Sequence, residues 1–168
     1  MKKTITILFC VLSLFMIQCT GGKKNETFTS GKEIQFKVNG NIISIIVPDS
    51  LKGNPEITEQ SWGATEIKIG TGFQISIKEE VGDISLTKSD IAGNEVNKLK
   101  HYIKDEPSFL FWESQITSSE FHFYLIQKVG ATSYVVNDIP GDMFKQSEIQ
   151  IMSDAAKTIK AIDTKPNP

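Results

Sequence analysis

The sequence contains no arginine, and all 18 of its basic residues are lysines. Arginine is the usual bidentate partner of phosphates and carboxylates, so its absence argues against a site built to hold a phosphate group. The formal net charge is −2, and a weakly acidic chain has no electrostatic attraction to nucleic acid. We therefore expect no nucleic-acid partner.

Cysteine and histidine are scarce, with two residues of each. Cys10 lies inside an apolar segment at the start of the chain, and no cysteine follows Cys19. The rest of the chain therefore has no internal disulfide, no cysteine nucleophile and no cysteine-rich zinc site. Neither His101 nor His122 has a partner at metal-ligand spacing. We expect no metal and no cofactor.

The chain begins with a short basic and apolar leader. Lys2 and Lys3 precede an apolar run of 13 residues, Ile5 to Ile17. A helix that spans a bilayer needs roughly 20 residues, so this run has the length of a signal-peptide core instead. We leave it out of the predicted fold.

The leader ends in Met16-Ile17-Gln18-Cys19, which resembles the lipobox of bacterial lipoproteins. Two positions depart from the usual box, because Met16 replaces leucine and Gln18 replaces a small residue. The resemblance implies cleavage after residues 1–18 and a diacylglycerol on Cys19, with a further acyl chain such as palmitate. It implies attachment to a bacterial membrane, facing the periplasm or the cell surface. The alternatives are an ordinary signal peptide cut near residues 20–22 and an uncleaved anchor.

Removal of residues 1–18 leaves 150 residues, enough for one domain with its own core. It also removes two lysines, which takes the formal charge from −2 to −4. Residues 19–31 are polar and rich in Gly, Thr and Lys, which predicts a flexible tether. We expect a single domain over residues 32–162 and a disordered tail over residues 163–168.

Alternating apolar residues predict strands in the first half of the domain. A hairpin is expected over residues 32–47, turning at Asn39-Gly40, because both residues tolerate positive φ. Residues 48–60 are predicted to be a loop. Strands are expected in residues 62–69 and 73–79. Gly70-Thr71-Gly72 between them is interpreted as a turn and not as a phosphate loop, since strand sequence follows it.

In the second half of the domain, some segments have apolar residues at strand spacing and others at helix spacing. Ser85 is expected to cap a helix that runs to Gly93, and residues 96–104 fit either a strand or a helix. Three antiparallel strands are predicted in residues 109–116, 120–129 and 132–138. The clearest helix is expected from about Met143 to Ile162, with Asp142 as its N-cap.

This order of elements predicts an α+β fold. We expect an antiparallel sheet of about six to seven strands, an N-terminal hairpin, one middle helix and a C-terminal amphipathic helix. Over residues 32–162 the layout resembles the PsbP-like extrinsic photosystem proteins in element order. The resemblance implies a fold and transfers no functional residue.

Aromatic residues carry the main functional signal. In FLFW and FHFY, alternation places Trp112 and Tyr124 on the strand face opposite the phenylalanines. With Trp62 they are the candidate binding patch, of a kind that contacts protein partners or sugars. His122 shares that face and is interpreted as a strand-surface histidine that faces solvent or a shallow groove, rather than a ligand or acid/base group. His101 is interpreted as solvated.

Catalytic patterns are missing from the sequence. Ser114 and Ser118 show no activating partner, and no catalytic residue is assigned. The NDIPGD segment offers oxygen ligands but lacks EF-hand spacing, so we interpret it as a turn. The favoured function is a non-catalytic binding or accessory module of the cell envelope, with an envelope protein as a candidate partner. The alternatives are a small hydrolase that uses Asp and Glu, and a purely structural lipoprotein. The sequence leaves the oligomeric state open.

Overall fold

The computed structural model describes residues 30–162. The leader, Cys19, all but the end of the predicted tether and the tail at residues 163–168 lie outside this range, so those predictions stay as they are. The elements in chain order are β1 (Gly31–Val38), β2 (Asn41–Pro48), β3 (Glu56–Glu59), β4 (Ala64–Ile69), β5 (Phe73–Glu79), α1 (Ile84–Gly93), β6 (Lys98–Glu106), β7 (Phe109–Gln115), β8 (Ser119–Val129), β9 (Thr132–Asp138), α2 (Gln146–Ala156) and β10 (Lys160–Ala161).

The N-terminal strands form the predicted hairpin. β1 and β2 pair antiparallel from Gly31↔Pro48 to Val38↔Asn41. The turn is Asn39-Gly40, with φ values of 50° and 84°, the positive values that a two-residue hairpin turn requires. β10 adds to the other edge of β2, which gives a small sheet in the order β1-β2-β10.

A larger antiparallel sheet makes up the rest of the domain. Its strand order is β3-β4-β5-β9-β8-β7-β6, and short turns join most of the sequential neighbours. The predicted α+β class, with a sheet of about six to seven strands, an N-terminal hairpin and a C-terminal helix, is confirmed.

One face of the large sheet forms the main core. α2 packs across it, against β5, β8 and β9, and also against β2 of the small sheet. In the strands that reach this layer, every second side chain projects into it. The exposed edge strand β3 contributes none. The core includes Phe73, Ile75, Ile77, Phe111, Phe123 and Val136 from the large sheet, Ile43 and Ile45 from the small sheet, and Ile149, Met152 and Ala156 from α2.

The C-terminal helix is shorter than predicted. It starts at Gln146 because the preceding Phe144 is buried in non-helical chain and the Glu148 carboxylate accepts the Lys145 N–H at 2.7 Å. Asp142 is therefore not its N-cap. The helix ends at Ala156 because the chain turns to β2, where Thr158 Oγ1 accepts the Ile46 N–H at 2.8 Å. Pairing of Lys160 and Ala161 with β2 thus overrides the helical sequence pattern at the end of the predicted helix.

Three other predictions need correction or completion. Asp83, not Ser85, caps α1, since its Oδ1 accepts the Ser85 and Leu86 N–H groups at 2.8 and 3.0 Å. Residues 56–59, predicted as loop, form the fully exposed edge strand β3. Of residues 96–104, which fitted either a strand or a helix, those from Lys98 onward belong to strand β6, which carries two register shifts against β7.

Truncation of Ile149 tests the α2 layer. Ile149 is fully buried, so Ile149→Ala leaves a cavity between α2 and the sheet and should lower the free energy of unfolding by about 2–5 kcal/mol. The matched control is Ile57→Ala on β3, where the side chain is 41% exposed and the expected loss is below about 0.5 kcal/mol. Urea unfolding of both variants measures the difference. Equal losses would contradict the assigned core.

Candidate ligand-binding site

The second face of the large sheet carries a row of opposed side chains on β7 and β8. Trp112 lies directly opposite His122, and Ser114 lies opposite Glu120. Opposed residues of antiparallel strands project to the same face, so each pair is in side-chain reach. On the other side of β8, Tyr124 lies opposite Asn137 of β9. Aromatic and polar groups therefore alternate across the middle of this face.

A cavity of about 580 Å³ lies between this face and α1. Thr87, Asp90 and Ile91 of α1 line it, at spacings of three and four residues from Thr87 that place them on one side of the helix, and Asn94, the C-cap of α1, lines it beside them. Residues 140–143, between β9 and α2, form a further wall. The volume falls in the range of roughly 300–1,000 Å³ that is typical of small-molecule sites.

The helix over the cavity is lightly attached. None of the residues of α1 is buried. Lys88 Nζ contacts Asp105 Oδ2 of β6 at 2.5 Å and lies 5.2 Å from the centre of the Tyr102 ring. These contacts attach α1 to β6, while Thr87, Asp90 and Ile91 of the same helix line the cavity.

Gly82 lets the chain enter α1 close to the sheet. A Cβ atom at this position would lie 2.7 Å from Tyr124 Oη, 2.7 Å from Ile126 Cγ1 and 2.8 Å from Val135 Cγ2. Only glycine fits this approach without displacing its neighbours. The position of α1 above the sheet therefore depends on a residue without a side chain at position 82.

In the cavity wall, His122 has a hydrogen-bond partner at each of its ring nitrogens. Its Nδ1 lies 2.8 Å from Asp138 Oδ2, while Asp138 Oδ1 accepts the Phe123 N–H at 2.8 Å. The β8–β9 ladder has its last pair at Tyr124↔Asn137, so Phe123 has no carbonyl opposite it on β9. The Asp138 carboxylate replaces that carbonyl and fixes the imidazole with its second oxygen.

The other side of the imidazole ring faces Asn97 and Trp112. His122 Nε2 lies 3.3 Å from Asn97 Nδ2, and the Trp112 ring centre lies 5.3 Å from the imidazole centre with the planes tilted by 32°. With Nδ1–H donating to Asp138, Nε2 accepts from the Asn97 amide. Asn97 Oδ1 is buried and has no hydrogen-bond partner within residues 30–162. Reversal of this amide would supply an acceptor for a protonated Nε2.

Two opposing effects set the pKa of His122. Burial disfavours the imidazolium and lowers the pKa, but the hydrogen bond to Asp138 and the charges of Asp138 and Glu120 raise it. The second group of effects is larger in sum, so the pKa lies above the ordinary value of 6.5. The bound proton therefore stabilises the fold below about pH 6.5, and this contribution is lost as pH rises through the folded-state pKa.

Glu120 is a buried carboxylate in the same wall. The residue is 7% exposed, and within residues 30–162 it accepts no hydrogen bond. His122 Nε2 lies 3.8 Å from Glu120 Oε2, and this pair is ionic only when the imidazole is protonated. The hydroxyl of Ser114, which lies opposite, is also buried without a hydrogen-bond partner in the described chain. Neither Glu120 oxygen is both buried and without a partner, as Ser114 Oγ is, so the carboxylate reaches the cavity space and can accept a donor there.

The structure brings two of the three predicted patch residues together. Trp112 and Tyr124 line the cavity, on the face away from α2. Trp62 lies in the turn between β3 and β4, is 55% exposed and is not part of the cavity wall. Binding by these residues stays a prediction.

His122 differs from its expected environment, while His101 does not. The His122 side chain is only 14% exposed, because α1 and the following loop cover the strand face. Of the two expected surroundings, solvent or a shallow groove, His122 therefore lies in a groove, and it is more enclosed there than a surface histidine. His101 is 57% exposed, beside Glu113, in agreement with a solvated residue. Alternation placed His122 on the correct face, but the covering helix has no signature in the strand pattern.

No protein-family model, curated protein or solved structure matches this chain. The PsbP-like element order therefore stays a prediction.

Within residues 30–162, neither helix has the length and apolar character needed to cross a membrane. The same residues contain no group of three or more His, Cys, Asp or Glu side chains placed to hold a metal ion.

Substitution of Gly82 should disturb the cavity. Gly82→Ala places a methyl group within 3 Å of three side chains and should lower the free energy of unfolding by about 1–3 kcal/mol. Gly93→Ala is the matched control, because nothing lies within 4 Å of its Cβ position. It should be neutral or stabilising by up to about 1 kcal/mol. Urea unfolding compares the two variants, and equal effects would rule out the close approach.

Neutralisation of Asp138 should lower the pKa of His122. Asp138→Asn keeps an acceptor for the Phe123 N–H but removes the negative charge beside Nδ1. An NMR titration of the His122 ring protons should then give a pKa below that of the unmodified protein. Asp154→Asn, on α2 beside Lys157, should leave the value unchanged. The assigned pair is wrong if both variants titrate alike.

Proposed function

We propose that this protein is a lipid-anchored binding module of the bacterial cell envelope, and that its ligand occupies the cavity between α1 and strands β7–β9. The observation that supports this most directly is the combination of Trp112 and Tyr124 with oriented polar groups in one concave wall. Such a mixture of apolar surface and few fixed polar groups is typical of ligand sites.

The arrangement of the hydroxyl groups favours binding over nucleophilic catalysis. Ser114, the serine nearest the imidazole in the strand register, is 1% exposed and does not line the cavity. It forms no hydrogen bond to His122, whereas a serine nucleophile needs contact with its base and access to substrate. The Nε2 atom of His122 is instead occupied by Asn97.

The anchor is supported by the sequence alone. Met16-Ile17-Gln18-Cys19 resembles a lipobox, and two or three acyl chains suffice for stable attachment to a bilayer. The first strand of the described domain starts at Gly31, so a short segment separates the proposed lipid from the folded domain. This segment would keep the domain near the membrane surface.

Ligand binding should change the NMR signal of Trp112 and leave that of Trp62 unchanged. In NMR spectra of the protein with a library of small organic fragments, compounds that bind should shift the indole N–H resonance of Trp112 while that of Trp62 stays fixed. Trp112→Ala should weaken their binding about tenfold through loss of aromatic contact, roughly 1.4 kcal/mol.

Trp62→Ala is the matched control and should bind the same fragments with unchanged affinity. If no fragment shifts the Trp112 resonance, or if both variants lose affinity equally, the cavity is not the binding site.

Lipidation should appear in the intact mass. Protein extracted from its native membrane should match the polypeptide from Cys19 to Pro168 plus a diacylglycerol, with or without a further acyl chain. Cys19→Ala should prevent this addition, and the protein should leave the membrane fraction. A mature chain that begins after Cys19 in the unmodified protein would contradict the anchor.

A second candidate function is hydrolysis by acid/base chemistry, as the scattered carboxylates of the sequence allow. The specific observation in its favour is that Asp138 and Glu120 flank one imidazole in a cavity wall. A hydrolase would turn over a fragment that binds there, and His122→Gln would abolish turnover while binding persists. Bound fragments recovered without chemical change support the binding module instead.

A further inference from the structure

The cavity wall carries an excess of negative charge. Asp90, Glu120, Asp138 and Asp142 line it, and His122 is the one lining residue of the described chain that can carry a positive charge. Lysines, although numerous in the sequence, are absent from this lining. Lys88 of α1 points to Asp105 instead. Even with His122 protonated, the wall stays negative, and it repels anions and attracts cations.

Glu120 supplies a specific position for that attraction. Its carboxylate lines the cavity and is 7% exposed, yet it accepts no hydrogen bond from any residue of the range 30–162. His122 Nε2, at 3.8 Å, is beyond hydrogen-bond distance. The carboxylate is thus open to a donor in the cavity, and a charged donor forms a stronger hydrogen bond with it than a neutral one.

The surrounding apolar groups define the rest of the ligand. Trp112 and Tyr124 lie on the same sheet face as Glu120. Trp112 belongs to the next same-face residue pair along the strands, and Tyr124 to the one after it. Ile116 and Met143, which also line the cavity, are 51% and 66% exposed and place apolar surface at its edge. Aromatic faces attract cations as well as apolar groups.

Resting on the proposed binding function, we infer that the ligand carries an ammonium group on an apolar body, with the ammonium on Glu120 and the body against Trp112 and Tyr124. The ammonium donates hydrogen bonds to the Glu120 carboxylate. This chemistry occurs in free aryl or alkyl amines and in the lysine side chain of a partner protein. A neutral sugar would satisfy the donor requirement but would gain nothing from the negative wall.

The test compares probes of matched size. Phenethylammonium, 2-phenylethanol and phenylacetate share a phenyl ring and a short arm, and they differ in charge. Titration of the full chain, with Trp62→Phe so that fluorescence reports on Trp112, gives the three affinities. We expect phenethylammonium to bind at least tenfold more tightly than the alcohol, and phenylacetate to bind most weakly.

Glu120→Gln separates the charge from the shape of the site. It should reduce the affinity for phenethylammonium at least tenfold and leave that for the alcohol unchanged. Glu59→Gln on the exposed strand β3 is the matched control and should change neither. Because the Glu120 carboxylate accepts no hydrogen bond from residues 30–162, the substitution breaks none, and the Glu120→Gln protein should unfold at the same or a higher temperature. A loss of fold would itself contradict the unpaired state of Glu120.

A blocked lysine, Nα-acetyl-lysine methylamide, distinguishes the two sources of the ammonium. Tighter binding of this probe than of phenethylammonium points to a lysine of a partner protein, and weaker binding points to a free amine. Either order supports the inference if Glu120→Gln reduces both affinities.

Equal or tighter binding of the alcohol, of phenylacetate or of a neutral disaccharide would overturn the cation inference while the binding function stands. Failure of every probe would also overturn it, and the Trp112 fragment screen then decides the binding function separately.

Discussion

The carboxylate of Asp138 is the contact on which the site depends. One of its oxygens accepts the Phe123 N–H, which the β8–β9 ladder leaves unpaired, and the other oxygen holds His122 Nδ1. The same side chain therefore ends the sheet pairing and orients the imidazole. Because a buried backbone N–H without a partner is costly, the sheet geometry itself retains this carboxylate. The imidazole orientation follows from the backbone hydrogen bond.

The two faces of the large sheet have different roles. The face under α2 is continuous, apolar and closed, and it supplies the stability of the domain. The opposite face is covered by a helix without buried residues, so a space of about 580 Å³ remains between helix and sheet. The apolar core and the proposed binding cavity thus lie on opposite sides of one sheet, and the polar groups of the cavity do not interrupt the core.

Much of the fold could be predicted from the sequence, because it rests on local periodicity. Alternation located most of the strands, and Asn39-Gly40 fixed the hairpin. The predictions were wrong where contacts between residues far apart in the sequence determine the secondary structure. Lys160 and Ala161 lay within the predicted helix but pair with β2 instead, and residues 56–59 join the sheet as an edge without an apolar signal. For the site, alternation put Trp112, His122 and Tyr124 on one face. It could not show that α1 covers them or that Asp138 reaches His122, since both depend on tertiary geometry.

The central claim is that the cavity is a ligand site completed by a donor on Glu120. The most direct measurement is a crystal structure of the protein grown with phenethylammonium. The account predicts electron density for the amine in the cavity, with its nitrogen about 3 Å from the Glu120 carboxylate and its ring against Trp112. Density confined to another surface, or a Glu120 carboxylate already hydrogen-bonded by the chain itself, would contradict the account.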